Sequence, residues 1–190
     1  MCAVAGCTTT GSGTPSTTTA PGSTSTAASS PANLNGAPPV TDPLDTSKYQ
    51  GDPCSSITSS QLATFNIGTT SSPSNTGGPT CDWSSNTDIT MSHAEVGYLA
   101  GQGGLSTIFG QKGNYAVLTT LPSIDGYPAV LALVVDQRAQ GNCDITVGAS
   151  NSLAIDIQLN VNSGPQKADP CTSDQQLAAD VISNIKNGGS

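Results

Sequence analysis

Cysteines are the chain's most conspicuous chemical residues: Cys2, Cys7, Cys54, Cys81, Cys143 and Cys171. No two form a C-x-x-C pair, and a single histidine, His93, accompanies them, so the clustered thiolate and imidazole ligands of a zinc site are missing. With Cys2 and Cys7 set aside the other four form an even set, the arithmetic of two disulfides. Three connectivities are open. Pairing Cys54 with Cys81 and Cys143 with Cys171 is favoured, because each bridge then closes a compact local loop. On the chain-entropy account each such loop contributes about 3 to 4 kcal/mol. The other candidates for chemistry are the carboxyl groups of Asp82, Asp88, Glu95, Asp136, Asp144 and Asp156. Two of them flanking a glycosidic bond would act as acid and base, and a serine beside His93 would give a nucleophile and its base. Spacing singles out no carboxylate pair, and no G-x-S-x-G elbow frames a serine. Gly101 to Gly104 lack the lysine that follows the glycines of a phosphate loop. The expectation is a protein without catalytic activity, cofactor or metal, whose acids keep it soluble and whose His93 faces solvent or hydrogen-bonds near Glu95.

All of those acids sit in the acidic part of a strongly divided chain. No charged residue occurs from Met1 to Thr41, so all 13 acidic and 5 basic side chains, and the net charge of −8, lie beyond it. Such a domain repels phosphate backbones, which removes nucleic acid from its partners. It gains nothing from anionic headgroups either, so contact with a membrane needs a covalent anchor. Val4-Ala5-Gly6-Cys7 resembles the lipobox of bacterial lipoprotein signal peptides, in which the cysteine is acylated and becomes the new N-terminus. The resemblance implies that residues 1–6 are a signal remnant and that Cys7 is the lipidated residue. Of the 24 residues from Thr8 to Pro31, 15 are Ser or Thr, too polar to offset the entropy of ordering. Residues 7–47 are therefore expected to form a disordered stalk spanning roughly 30 to 40 Å, leaving 48–190 as one globular domain.

Local patterns assign that domain to the α+β class. Thr58 with Gln61, and Thr172 with Gln175, fit the T-x-x-Q capping box that satisfies unpaired donors at a helix start. The first helix is expected to run to about Asn66, with Leu62, Phe65 and Ile67 in the core. Leu177, Ala178, Val181, Ile182 and Ile185 recur at helical spacing in the last one. Between the helices the period becomes two, most clearly in Leu153, Ile155, Ile157, Leu159 and Val161. Residues 88–96, 115–121, 127–136 and 143–147 also read as strands, and 103–110 as a brief helix. Short turns at Asp125-Gly126, Gly141-Asn142 and 148–152 imply an antiparallel meander flanked by the N-terminal and C-terminal helices.

Asp52-Pro53-Cys54-Ser55-Ser56-Ile57-Thr58, Cys81-Asp82-Trp83, Cys143 and Asp169-Pro170-Cys171 resemble the signatures of actinobacterial lipoproteins that carry a domain of unknown function. The resemblance covers about Asp52 to Lys186. It implies a monomeric cell-envelope lipoprotein on the extracytoplasmic face of the membrane, with a Mog1/PsbP-like sandwich in which Trp83 packs over the first disulfide. It brings no activity. The expected role is a membrane-tethered binding or adaptor module for an envelope protein, glycan or lipid; the alternative is an envelope hydrolase or glycan-modifying enzyme using paired carboxylates or His93.

Overall fold

A computed structural model describes residues 34–84 and 92–188. The proposed anchor Cys7, the stalk up to residue 33 and the candidate Asp88 lie outside the described residues. Seven strands form one sheet, antiparallel throughout: β1 (Thr70–Ser74), β2 (Thr80–Ser84), β3 (His93–Tyr98), β4 (Val117–Ile124), β5 (Tyr127–Leu133), β6 (Asn142–Gly148) and β7 (Ala154–Asn160). The order across the sheet is β1-β2-β3-β7-β6-β5-β4. The chain thus builds two meanders, and the last strand of the second zips onto the last strand of the first.

Four helices complete the described domain: α1 (Ser47–Gly51), α2 (Ser59–Thr64), α3 (Leu105–Gly110) and α4 (Pro170–Lys186). On β7, Ile155, Ile157 and Leu159 are buried while Asp156, Gln158 and Asn160 are partly open, the alternation expected of a strand with one sealed face. The sealed face packs against Leu177, Ala178, Val181, Ile182 and Ile185 of α4, with Trp83, Leu62, Phe65 and Ile67 in the same cluster. A smaller cluster lies on the other face, where α3 places Leu105 and Ile108 against Val130, Ala132 and Ala154. No described helix is long and apolar enough to cross a membrane.

Both disulfides pin helical turns to the sheet. Cys54, in a 3-10 turn spanning Pro53–Ser56, bonds Cys81 of β2, and Cys171 in the first turn of α4 bonds Cys143 of β6. The pairing is the one favoured from loop length. The Asp125-Gly126 hairpin also forms, both residues having positive φ (49° and 93°) as a type I′ turn demands. At Gly141, where φ is 96°, a Cβ would run into the Val161 carbonyl, so no other residue fits that corner.

Three expectations need correction. The capping box at Thr58 and Gln61 is present, but α4 starts two residues before Thr172. Asp169 accepts from the Thr172 amide and hydroxyl, Pro170 takes the first helical position, and Gln175 donates to the Cys171 carbonyl. An Asp cap followed by proline fixes the earlier start. The third strand begins at His93 and runs to Tyr98, later than the expected 88–96. The packed domain also starts before residue 48. Ala37, Val40 and Thr46 are buried, the Asn151 side chain accepts from the Val40 amide at 2.8 Å, and Leu44 donates to Ala149 at 2.8 Å. Leu34, Ala37, Val40 and Leu44 supply the apolar contacts that a Ser/Thr stalk lacks.

Replacing Cys143 and Cys171 together by serine should lower unfolding stability by about 3 kcal/mol, read as a shift in urea midpoint. An unchanged midpoint would mean that the bridge does not constrain α4.

Candidate functional site

Because successive side chains on a strand alternate faces, one register brings outward-pointing polar residues from two meanders into rows. Ser84, His93, Asn160 and Asn142 stand opposite one another across β2, β3, β7 and β6. The next row is Asp82, Glu95, Gln158 and Asp144. The third holds Thr80, Gly97, Asp156, Thr146 and Val130. Of the six carboxylates singled out in the sequence, Asp82, Glu95, Asp144 and Asp156 therefore share one face. Asp136 does not join them; it is exposed in a bidentate pair with Arg138, 2.7 Å at the shorter contact.

Asp144 and Asp156 form the centre of this face, on adjacent strands and in adjacent rows. Asp156 accepts from the Thr146 hydroxyl at 3.1 Å and the Gln158 amide at 3.0 Å. Burial pushes Asp144 well above the usual carboxylate range, and the neighbouring charges of Asp156 and Glu95 add to it. The Asp144 carboxyl therefore keeps its proton at neutral pH, since burial beside other carboxylates disfavours its charged form. Asp144 Oδ1 is withdrawn from solvent and has no hydrogen-bond partner. Glu95 is raised too, first by burial and then by Asp156 and Asp82, while His93 opposes the shift.

Two cavities flank the pair and share Asp144. One, about 410 Å³, is bounded by His93, Val134, Val135, Asn142 and Asn160. The other, about 270 Å³, lies between the sheet and α3, with Leu99, Ile108, Tyr115, Ala132, Val134 and Asp156 around it. The β5–β6 ladder runs from Ala129 opposite Val147 to Leu131 opposite Ile145. Beyond it the chain carries Val134 and Val135, 64% and 63% exposed, which form the rim of the first cavity.

His93 stands opposite Ser84 with Glu95 on the same face, yet no hydrogen bond links His93 to Ser84 among the described residues. Nor does any group of three or more His, Cys, Asp or Glu side chains converge to hold a metal among the described residues.

The family model described as "Protein of unknown function (DUF3558)" matches residues 2–184. The chain belongs to the DUF3558 family. No curated protein and no solved structure matches it. The site of this DUF3558 member is therefore read from its own geometry.

Tyr115, Thr146, Gln158 and Val134 were not among the sequence candidates; Thr146 and Gln158 were signalled only by their places in the polar alternation of two strands. Asp174 was missed as well. It occupies the apolar stripe of α4 at the spacing of Pro170, Leu177 and Ala178, is 0% exposed, and neither carboxyl oxygen has a hydrogen-bond partner. Burial raises it well above its ordinary value, and the charges of Asp144 and Asp156 across the sheet reinforce the shift.

Asp144 and Asp174 thus hold protons in the folded domain that the unfolded chain releases near pH 4. The folded state binds more protons above that point, so stability is complete below it and is lost as pH rises through the folded values. Urea midpoints should fall between pH 5 and pH 8. Asp174→Asn should flatten that fall, by at least about 1 kcal/mol over the interval. A midpoint that rises with pH, or an unaltered slope in the variant, would contradict buried neutral carboxyls.

Proposed function

We propose that this DUF3558 protein is a cell-envelope lipoprotein of the actinobacterial type, held to the extracytoplasmic face of the membrane by acylated Cys7 and acting there as a binding module. The observation that carries the binding role is the open groove on the outer face of the sheet, with apolar rims, two adjoining cavities and a carboxyl pair at its floor. Mixed apolar and convergent polar lining is the ordinary composition of a ligand site. Val4-Ala5-Gly6-Cys7 and the Ser/Thr-rich residues after it supply the anchor and tether. Two disulfides suit an oxidising compartment. α4 on one face of the sheet and α3 on the other support a Mog1/PsbP-type sandwich.

The alternative, an envelope hydrolase using paired carboxylates or His93, has less support. Asp144 is largely withdrawn from solvent and Asp156 is held by Thr146 and Gln158, and His93 has no hydrogen-bonded serine among the described residues. An envelope protein, glycan or lipid is the partner class, engaged by a monomer.

Two readouts test this reading. Intact mass of the protein from its membrane fraction should show acyl chains on Cys7 and a gain of four hydrogens on reduction. A photoreactive residue at position 134 should yield a discrete crosslinked adduct in cells, absent when the residue is placed at exposed position 60 instead. An unacylated chain with four free thiols would remove the tether, and equal labelling from both positions would remove the groove.

A further inference from the structure

Given that the groove is a binding site, on which this inference rests, its chemistry selects the ligand. We propose that the cavity between α3 and the sheet takes an ammonium or guanidinium group carried on an apolar stem, with the carboxyl groups of Asp144 and Asp156 as its acceptors.

Size is the first argument. About 270 Å³ lies just below the roughly 300 to 1,000 Å³ of pockets for drug-sized ligands, and matches a lysine side chain or a small alkylamine. The walls are the second. Leu99, Ile108, Ala132 and Val134 with the Tyr115 ring offer contact to methylene groups on several sides, as a basic side chain's stem requires. Val134, 64% exposed, stands at the rim where such a stem would enter.

The floor decides the sign of the ligand. Asp156 is satisfied by Thr146 and Gln158, whereas Asp144 Oδ1 is buried and lacks a donor. A buried acceptor left unmade costs about 1 to 3 kcal/mol, which a donor arriving from the cavity recovers. Glu95 and Asp82 extend the negative row, and no Lys, Arg or His among the described residues lines this cavity. An anionic ligand meets repulsion there, and a neutral alcohol leaves the charge unbalanced. An ammonium group satisfies both the orphan acceptor and the field.

The test is an NMR titration of the isotopically labelled full chain with n-butylammonium chloride, against n-butanol and sodium butyrate as matched probes. Saturable shifts are expected at Asp144, Asp156, Tyr115 and Ala132 with butylammonium, at least about tenfold tighter than with butanol, and none there with butyrate. Val134→Lys changes an exposed position and sets an ammonium of the protein's own at the rim; it should weaken butylammonium binding by at least about tenfold with the remaining spectrum intact. Equal affinity for butanol would overturn cation recognition while leaving a groove that binds. Shifts spread evenly over Asp45, Asp125 and Asp136 would reduce the effect to ion association and overturn the site, as would silence with every probe. Within a positive result, a Val-Lys-Val peptide binding tighter than butylammonium assigns the cation to a partner's side chain, and equal binding assigns it to a free amine.

Discussion

The pairing of β3 with β7 is the interaction on which the rest of this molecule depends. Each meander alone would leave an exposed ladder at its last strand, an edge that proteins have reason to cover. Joining the two in the register Glu95 opposite Gln158 and Val96 opposite Ile157 makes a continuous sheet of seven strands. The same register does two further things. It lines Trp83, Ala94, Leu159 and Cys143 on the face that α4 seals, and Asp82, Glu95, Gln158 and Asp144 on the face left partly open. A slip of one residue would exchange the two sets, placing carboxylates in the core and the bridge to α4 in solvent.

Charge on both sides of β6 and β7 sets the energetic character of the domain. Asp144 and Asp156 share the open face, and Asp174 lies beneath the same strands inside the apolar contact of α4. Each such group is unfavourable by itself, since ionised or unpaired carboxyls away from water are costly. The bridge Cys143–Cys171 lies one turn of helix from Asp174, so the segment carrying the most unfavourable buried group is also the one fixed covalently to the sheet. Clustered carboxyls with displaced protonation beside a cavity are a pattern found at functional sites, and the costs here are concentrated around one groove.

Much of this architecture was legible in the residues. Period two in β7, the apolar stripe of α4 and the Asp125-Gly126 turn each follow from local rules, and loop length favoured the two disulfides that form. The order of strands was not legible, because nothing local tells β7 to pair with β3. Without that pairing, Asp82 and Glu95 could not be associated with Asp144 and Asp156, so the acids remained unconnected candidates. Asp174 was hidden by its type: a carboxyl at a stripe position reads as a surface residue, although its spacing from Leu177 and Ala178 marks it as inward. Residues 34–46 were assigned to the stalk by composition, while Val40 and Leu44 carry the contacts and backbone bonds that dock them. The α4 start was misplaced because Asp169-Pro170 outcompetes Thr172 as a helix beginning.

Carboxyl carbon-13 titration of Asp144 probes the floor of the groove without perturbing it. Burial beside other carboxylates predicts that Asp144 stays protonated through neutrality. If Asp144 instead ionises near pH 4, its carboxyl is solvated, and the buried, proton-holding floor of the groove does not exist.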